Sequence, residues 1–222
     1  MTKTINPMIN LKKIIVITGH YGSGKTNISA NLALKLAGQG SVSVVDLDVV
    51  NPYFRTADFQ NAANAAGQVF SEKNIRIIAS KYANSSLDVP ALGFDITGAV
   101  RNSDYTIIDV GGDDEGAKAL GRYRDFLTAL EVDMLYVVNM YRYHTRKPEE
   151  ALELLRAIEA VSGLKCTGII NNSHLCSETT VEIIAASLPY ANEIAEKAGV
   201  PLLFTAGIEF PVDVFVRKIW EK

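Results

Sequence analysis

The chain has 222 residues, with 22 basic against 25 acidic side chains, a formal net charge of −3 and two cysteines. That balance argues against bulk electrostatic binding of DNA or RNA, and a chain of this length buries a core without disulfide or metal staples. No apolar run approaches the ~18 residues of a membrane span, the N-terminus lacks a signal-peptide core, and Cys166 and Cys176 do not form a C-x-x-C clamp, so a cytoplasmic protein is expected.

Residues 1–10 are polar and non-periodic and read as a loose tail, with 11–222 forming a single domain. Short runs rich in Ile and Val then alternate with longer helical patterns. The strand candidates are 13–18, 42–46, 75–79, 105–110, 134–139, 167–171 and 202–205. They lack polar alternation, as strands covered on both faces do. Ile28, Leu32 and Leu36 form a helical stripe ended by Gly38 and Gly40. Leu120, Tyr123, Leu127 and Leu130 form a second, and Ala151, Leu154, Leu155 and Ile158 a third that opens at Pro148. Thr179 and Glu182 have the spacing of a capping box, and Pro189 should kink or split the helix that follows before Gly199. The pattern predicts an α/β protein: a mostly parallel, doubly wound sheet of about seven strands with helices on both faces.

Between the first strand and the first helix lies Gly-His-Tyr-Gly-Ser-Gly-Lys-Thr at 19–26, a complete G-x-x-x-x-G-K-[ST] loop. Glycine lets the chain bend tightly enough for the amides of Gly22, Gly24, Lys25 and Thr26 to converge on phosphate oxygens, with Ser23 and Asn27 beside them. Lys25 would reach the β- and γ-phosphates and the Thr26 hydroxyl would ligate Mg²⁺. Thr18, Asp46, Asp109, Asn139 and Asn171 close successive strands, and in open α/β sheets ligands bind along that edge.

Asp46 and Asp48 leave the second strand two residues apart, so both project near that edge. Asp46 could hold a water of the Mg²⁺ shell, and Asp48 could orient an attacking water. An Asp-rich turn closed by Asn51 and Pro52 is the plain alternative. Asp109 supplies the second carboxylate expected near Mg²⁺, and the amide of Gly112, three residues on, could sense a γ-phosphate. Arg55 reads as a surface side chain, and Arg122, Arg124, Arg142 and Arg146 as part of a mixed solvated surface. His144 and His174 have no metal-ligand partners at helical or turn spacing, and residues 212–220 form an amphipathic pattern expected to pack on the domain.

The loop, Asp46-Leu47-Asp48 with Pro52, Asp109-x-x-Gly112 and the run ending in Asn171-Asn172 resemble, in that order, the MinD/ParA/Mrp group of P-loop ATPases. The resemblance implies the three-layer P-loop NTPase fold and a Mg²⁺-dependent, slow ATPase acting as a switch on a protein partner or cargo. It implies Asp46 for Mg²⁺, Asp48 for the hydrolytic water and Asn172, with Asn171 second, for adenine. The absence of an Asn-Lys-x-Asp signature favours ATP over GTP. Two departures stand out: His20 occupies the place of a lysine that in this family reaches across a dimer, and Tyr21 replaces a usual glycine. A homodimer is therefore left open. The cysteine pair of metal-cluster carriers is absent. Two other readings keep the same site. One is a small-molecule kinase or ligase, dethiobiotin synthetase-like, whose acceptor pocket would draw on 82–94 and 113–124. The other is a nucleotide-binding module that does not hydrolyse.

Overall fold

A computed structural model describes residues 10–48, 65–79, 96–112, 114–175, 178–213 and 215. Residues 1–9 of the expected tail at 1–10, Asn51, Pro52, Arg55, Asp113 and Cys176 lie outside these residues, as do segment 82–94 and most of 212–220. Seven strands form one sheet: β1 (Ile14–Gly19), β2 (Val42–Asp46), β3 (Arg76–Ile78), β4 (Tyr105–Asp109), β5 (Val132–Val138), β6 (Cys166–Asn171) and β7 (Leu202–Thr205). Their order is β3-β2-β4-β1-β5-β6-β7 and every pairing is parallel. All seven coincide with sequence-predicted runs. β5 starts two residues earlier than its pattern, at Val132, which is buried like the rest of the strand.

The helices are α1 (Lys25–Leu36), α2 (Ala65–Glu72), α3 (Ile96–Asn102), α4 (Asp114–Gly121), α5 (Arg124–Thr128), α6 (Pro148–Ser162), α7 (Val181–Ala186) and α8 (Leu188–Ala198), with a 3-10 turn at Tyr143–Thr145. Alternate strand residues feed two cores. Ile15, Ile17, Val44, Ile107 and Val137 pack with Ile28 and Leu32 of α1 and Phe70 of α2. Val16, Val45, Ile108, Met134 and Tyr136 face the opposite layer, with Ala99 of α3, Leu120 of α4, Leu155 of α6 and Ile194 of α8. This is the three-layer arrangement expected. None of the described helices is long and apolar enough to cross a membrane.

Three local expectations are corrected. The stripe through Leu120, Tyr123, Leu127 and Leu130 is two helices, because Tyr123 leaves the helical region and becomes the N-cap of α5. The cap of α7 is Thr180, whose hydroxyl accepts from the Ile183 amide, whereas the Thr179 hydroxyl accepts from the Leu175 amide. α1 is not one-faced: ten of its twelve residues are buried. Pro189 behaves as predicted, since the chain breaks at Ser187 and α8 carries the proline in its first turn.

The outer side of α1 is covered by the C-terminal segment. Asn31 Nδ2 donates to the Asp213 carbonyl at 2.9 Å, Asn31 Oδ1 accepts from the Asp213 amide at 2.7 Å, and Asn27 Oδ1 accepts from the Phe215 amide at 3.0 Å. Phe215 meets Phe70 edge-on and packs with Val212 against the α1 core. Removing one partner of such a buried pair costs about 1–3 kcal/mol. Asn31→Ala should therefore destabilise the fold by that order, read as a lower urea midpoint, and speed amide exchange at Asp213, while the β1 and β4 amides keep their protection.

Candidate functional site

β1 sits where the winding reverses: β2, β3 and β4 lie to one side of it and β5, β6 and β7 to the other. The crevice beyond the carboxyl ends of the strands at such a point is the usual ligand site of open α/β sheets. Residues 19–26 occupy it. Gly19, Gly22 and Gly24 all take positive φ (148°, 73° and 90°), a region that glycine enters without strain. A β-carbon at Gly19 would overlap the Val137 carbonyl of β5, and one at Gly24 would overlap the Asn172 carboxamide. Gly24 is also the N-cap of α1. It offers no side-chain cap, and the first turn of the helix holds no acidic residue of its own.

Lys25 is buried and its Nζ donates to the His20 carbonyl at 3.0 Å, folding the side chain over its own loop. Across from it, a β-carbon on Gly112 would stand 2.6 Å from Lys25 Nζ and 2.5 Å from the Tyr21 amide nitrogen. Gly112 therefore lies in direct apposition to the loop, and only glycine fits. Asp46 and Asp109 are register partners at the ends of β2 and β4, so their side chains share the face that carries α1. Asp109 Oδ1 accepts from Ser29 Oγ at 3.2 Å, tying the strand end to the first turns of α1. Asp46 Oδ1 accepts from the Asp48 amide at 3.0 Å, and Asp48 Oδ1 would be 3.2 Å from a β-carbon on Gly111. All three carboxylates are buried.

The two asparagines after β6 divide their work. Asn171 is satisfied locally, donating to Ser187 Oγ at 2.8 Å and accepting from the Ser173 amide at 3.2 Å. Asn172 reaches the loop, its Nδ2 donating to the Ser23 carbonyl at 2.7 Å. Ser23 is buried within the loop, and the Asn27 carboxamide is turned to Phe215. Thr26 is buried at the start of α1 beside Lys25.

The donor set fits Mg²⁺. Thr26, Asp46 and Asp109 offer hard oxygens at one edge, while no group of three His, Cys, Asp or Glu side chains forms a cage among the described residues. Mg²⁺ ordinarily relies on one or two carboxylates plus waters and phosphates rather than such a cage.

A second group was not legible beforehand. All three histidines of the chain gather here, although the sequence spacing of His144 and His174 gives them no metal-ligand partners. His20 and His144 lie 5.7 Å apart ring to ring, Tyr143 meets His144 edge-on at 5.0 Å, and His174 Nε2 would be 3.5 Å from a β-carbon on Gly24. Arg142, expected on a solvated surface, is half-buried against Gly22. Each of these residues follows closely on the end of β1, β5 or β6, which is the signal that could have found them.

Burial holds the His20 imidazole below its ordinary range; a hydrogen bond with the Tyr21 backbone opposes this, and Lys25, His144 and Arg142 reinforce it. His174 is lowered by burial and then by Arg142. When folding lowers a histidine's pKa, the unfolded chain takes up protons first, so stability falls as pH drops below about 6.5 toward the folded values. The urea midpoint should therefore be lower at pH 5.5 than at pH 7.5. His20→Gln with His174→Gln should remove part of that difference.

The family model described as Zeta toxin matches residues 2–84, a stretch that holds the phosphate loop and β2. No curated protein sequence matches the chain. Among solved structures, the cell division protein FtsY of Thermotoga maritima superposes with a TM-score of 0.56 at 18% identity, over 91% of this chain and 64% of that one. The signal recognition particle 54 kDa protein of Aeropyrum pernix K1, in complex with GDP, gives 0.52 at 16% identity, over 87% and 41%. Chloroplast FtsY of Physcomitrella patens gives 0.51 at 14%, over 95% and 65%. The chain thus spans less than two thirds of the length of each. With a seven-stranded, all-parallel sheet, a complete phosphate loop at its switch point and this structural likeness, the chain has the fold of a P-loop nucleotide-binding domain.

Proposed function

We propose that the chain is a Mg²⁺-dependent ATP-binding protein and slow ATPase whose nucleotide cycle switches its grip on a protein partner or cargo. The observation that carries this reading is the convergence of three strand ends. Lys25 Nζ and the Tyr21 amide face Gly112 within 2.6 Å of its β-position, beside the in-register pair Asp46 and Asp109. Amides of Gly22 to Thr26 bind the phosphate oxygens, and Lys25 exchanges the His20 carbonyl for an oxygen of the terminal phosphates. Thr26, Asp46 and Asp109 would hold Mg²⁺, which would supply charge that neutralises the phosphates.

Asp48 orients the attacking water and receives its proton as the γ-phosphoryl group passes to the water oxygen and ADP leaves. Gly112 answers to the γ-phosphate, and its loss frees the segment that follows. Asn172 commits Nδ2 to the Ser23 carbonyl, which leaves Oδ1 for the adenine amino group. The MinD/ParA/Mrp resemblance supports ATP as the nucleotide and a partner-driven cycle. His20, in place of the lysine that crosses the dimer, supports slow turnover by the isolated chain.

Calorimetry with Mg·ATP should give a saturable isotherm that GTP displaces weakly. Lys25→Ala should weaken binding about 10- to 100-fold, the loss of one charge-assisted hydrogen bond. Asp48→Asn should bind ATP within about threefold of wild type yet hydrolyse it about 100-fold more slowly. Unchanged hydrolysis in Asp48→Asn would remove the ATPase assignment. ADP release that depends on an added metabolite would move the assignment to phosphotransfer.

A further inference from the structure

Building on the nucleotide reading, we propose that Arg142 is a second phosphate-binding cation, delivered to the loop by the same chain. Its guanidinium lies on the loop backbone: a β-carbon at Gly22 would be 3.5 Å from Nε and 3.6 Å from Cζ. Nε is buried and has no hydrogen-bond partner. An unmatched N–H of this kind is costly, and guanidinium cannot shed its charge to reduce the cost. The surroundings compound it, because Lys25, His20 and His174 crowd the same space with further basic groups.

The backbone that carries Arg142 is held at both its amide and its carbonyl. The Arg142 amide donates to the Asn139 carbonyl at 3.2 Å, and the Thr145 amide donates to the Arg142 carbonyl at 3.1 Å. The buried Thr145 in turn receives the Tyr190 hydroxyl of α8 on its carbonyl at 2.6 Å. Among the described residues, seven buried side-chain polar atoms lack partners, and those of Thr18, Ser23, Asn139 and Arg142 are four of them. Native folds satisfy nearly all such groups, and each exception calls for a cause such as a catalytic role, an ordered water or a bound ion. The ligand that satisfies a donor-rich, cationic cluster around a phosphate loop is a polyphosphate anion. Arg142 thereby provides from within the chain a charge that a cross-dimer lysine would otherwise bring from a second copy.

The test is Mg·ATP binding by calorimetry at two salt concentrations for wild type, Arg142→Ala, Arg142→Lys and Lys25→Ala. Arg142→Ala should bind about tenfold more weakly, with a shallower dependence of affinity on salt, and Arg142→Lys should fall between. Binding within twofold of wild type in Arg142→Ala, while Lys25→Ala has lost affinity, would overturn the role of Arg142 and leave the nucleotide reading intact. A weakening with unchanged salt dependence would also overturn it, since that marks a structural defect. No binding by wild type would overturn the nucleotide reading itself, and this inference with it. If circular dichroism shows Arg142→Ala unfolded, Arg142→Gln is read by the same criteria. Mixing Arg142→Ala with Lys25→Ala should not restore hydrolysis; restoration would overturn delivery within one chain.

Discussion

The site depends on one close approach: the backbone at Gly24 in the left-handed region, with the Asn172 carboxamide lying where a side chain would begin. That conformation completes the bend that leads from β1 into α1 and leaves the helix start without a side-chain cap. Asn172 fastens the bend from the β6 side by holding the Ser23 carbonyl. The loop is thus shaped by a glycine and clamped by a neighbouring strand, so its amides are oriented before any anion arrives. Preorganised donors of this kind gain most in a water-poor crevice, because nothing must reorganise when charge enters.

The sheet explains why the acidic partners lie opposite. Parallel register fixes Asp46 beside Asp109, and Asp109 beside Ile17 one strand further on. A slip of one residue would turn each side chain to the other face, into the layer of α3 and α6. The runs of Ile and Val that hold this register are therefore part of the site's geometry. Ser29 adds a cross-link from α1, so phosphate loop, helix and acidic strand ends form one rigid frame.

Much of this was legible beforehand because the relevant signals are local. A glycine-rich loop between an apolar run and a helical pattern constrains its own geometry, and apolar runs without alternation imply covered parallel strands. The seven strands follow from that pattern alone. What escaped depends on contacts between distant segments. Arg142 reads as a surface residue because its neighbours in sequence are polar, yet the strand order sets β5 beside β1, with β6 next beyond it. The break at Tyr123 escaped because a helical stripe of apolar residues does not encode the turn that interrupts it. The burial of α1 on nearly every side escaped because Asn27 and Asn31 are covered by a segment more than 180 residues further along the chain.

That covering segment has a mechanical implication. Three hydrogen bonds lash Asp213 and Phe215 to the helix whose first residue is Lys25. Any displacement of α1 along its axis must drag the strap with it or snap those bonds together, because the two asparagines sit one turn apart on the same helix. The phosphate loop and the far end of the described chain are in this sense two ends of one lever, with α1 as its rigid arm.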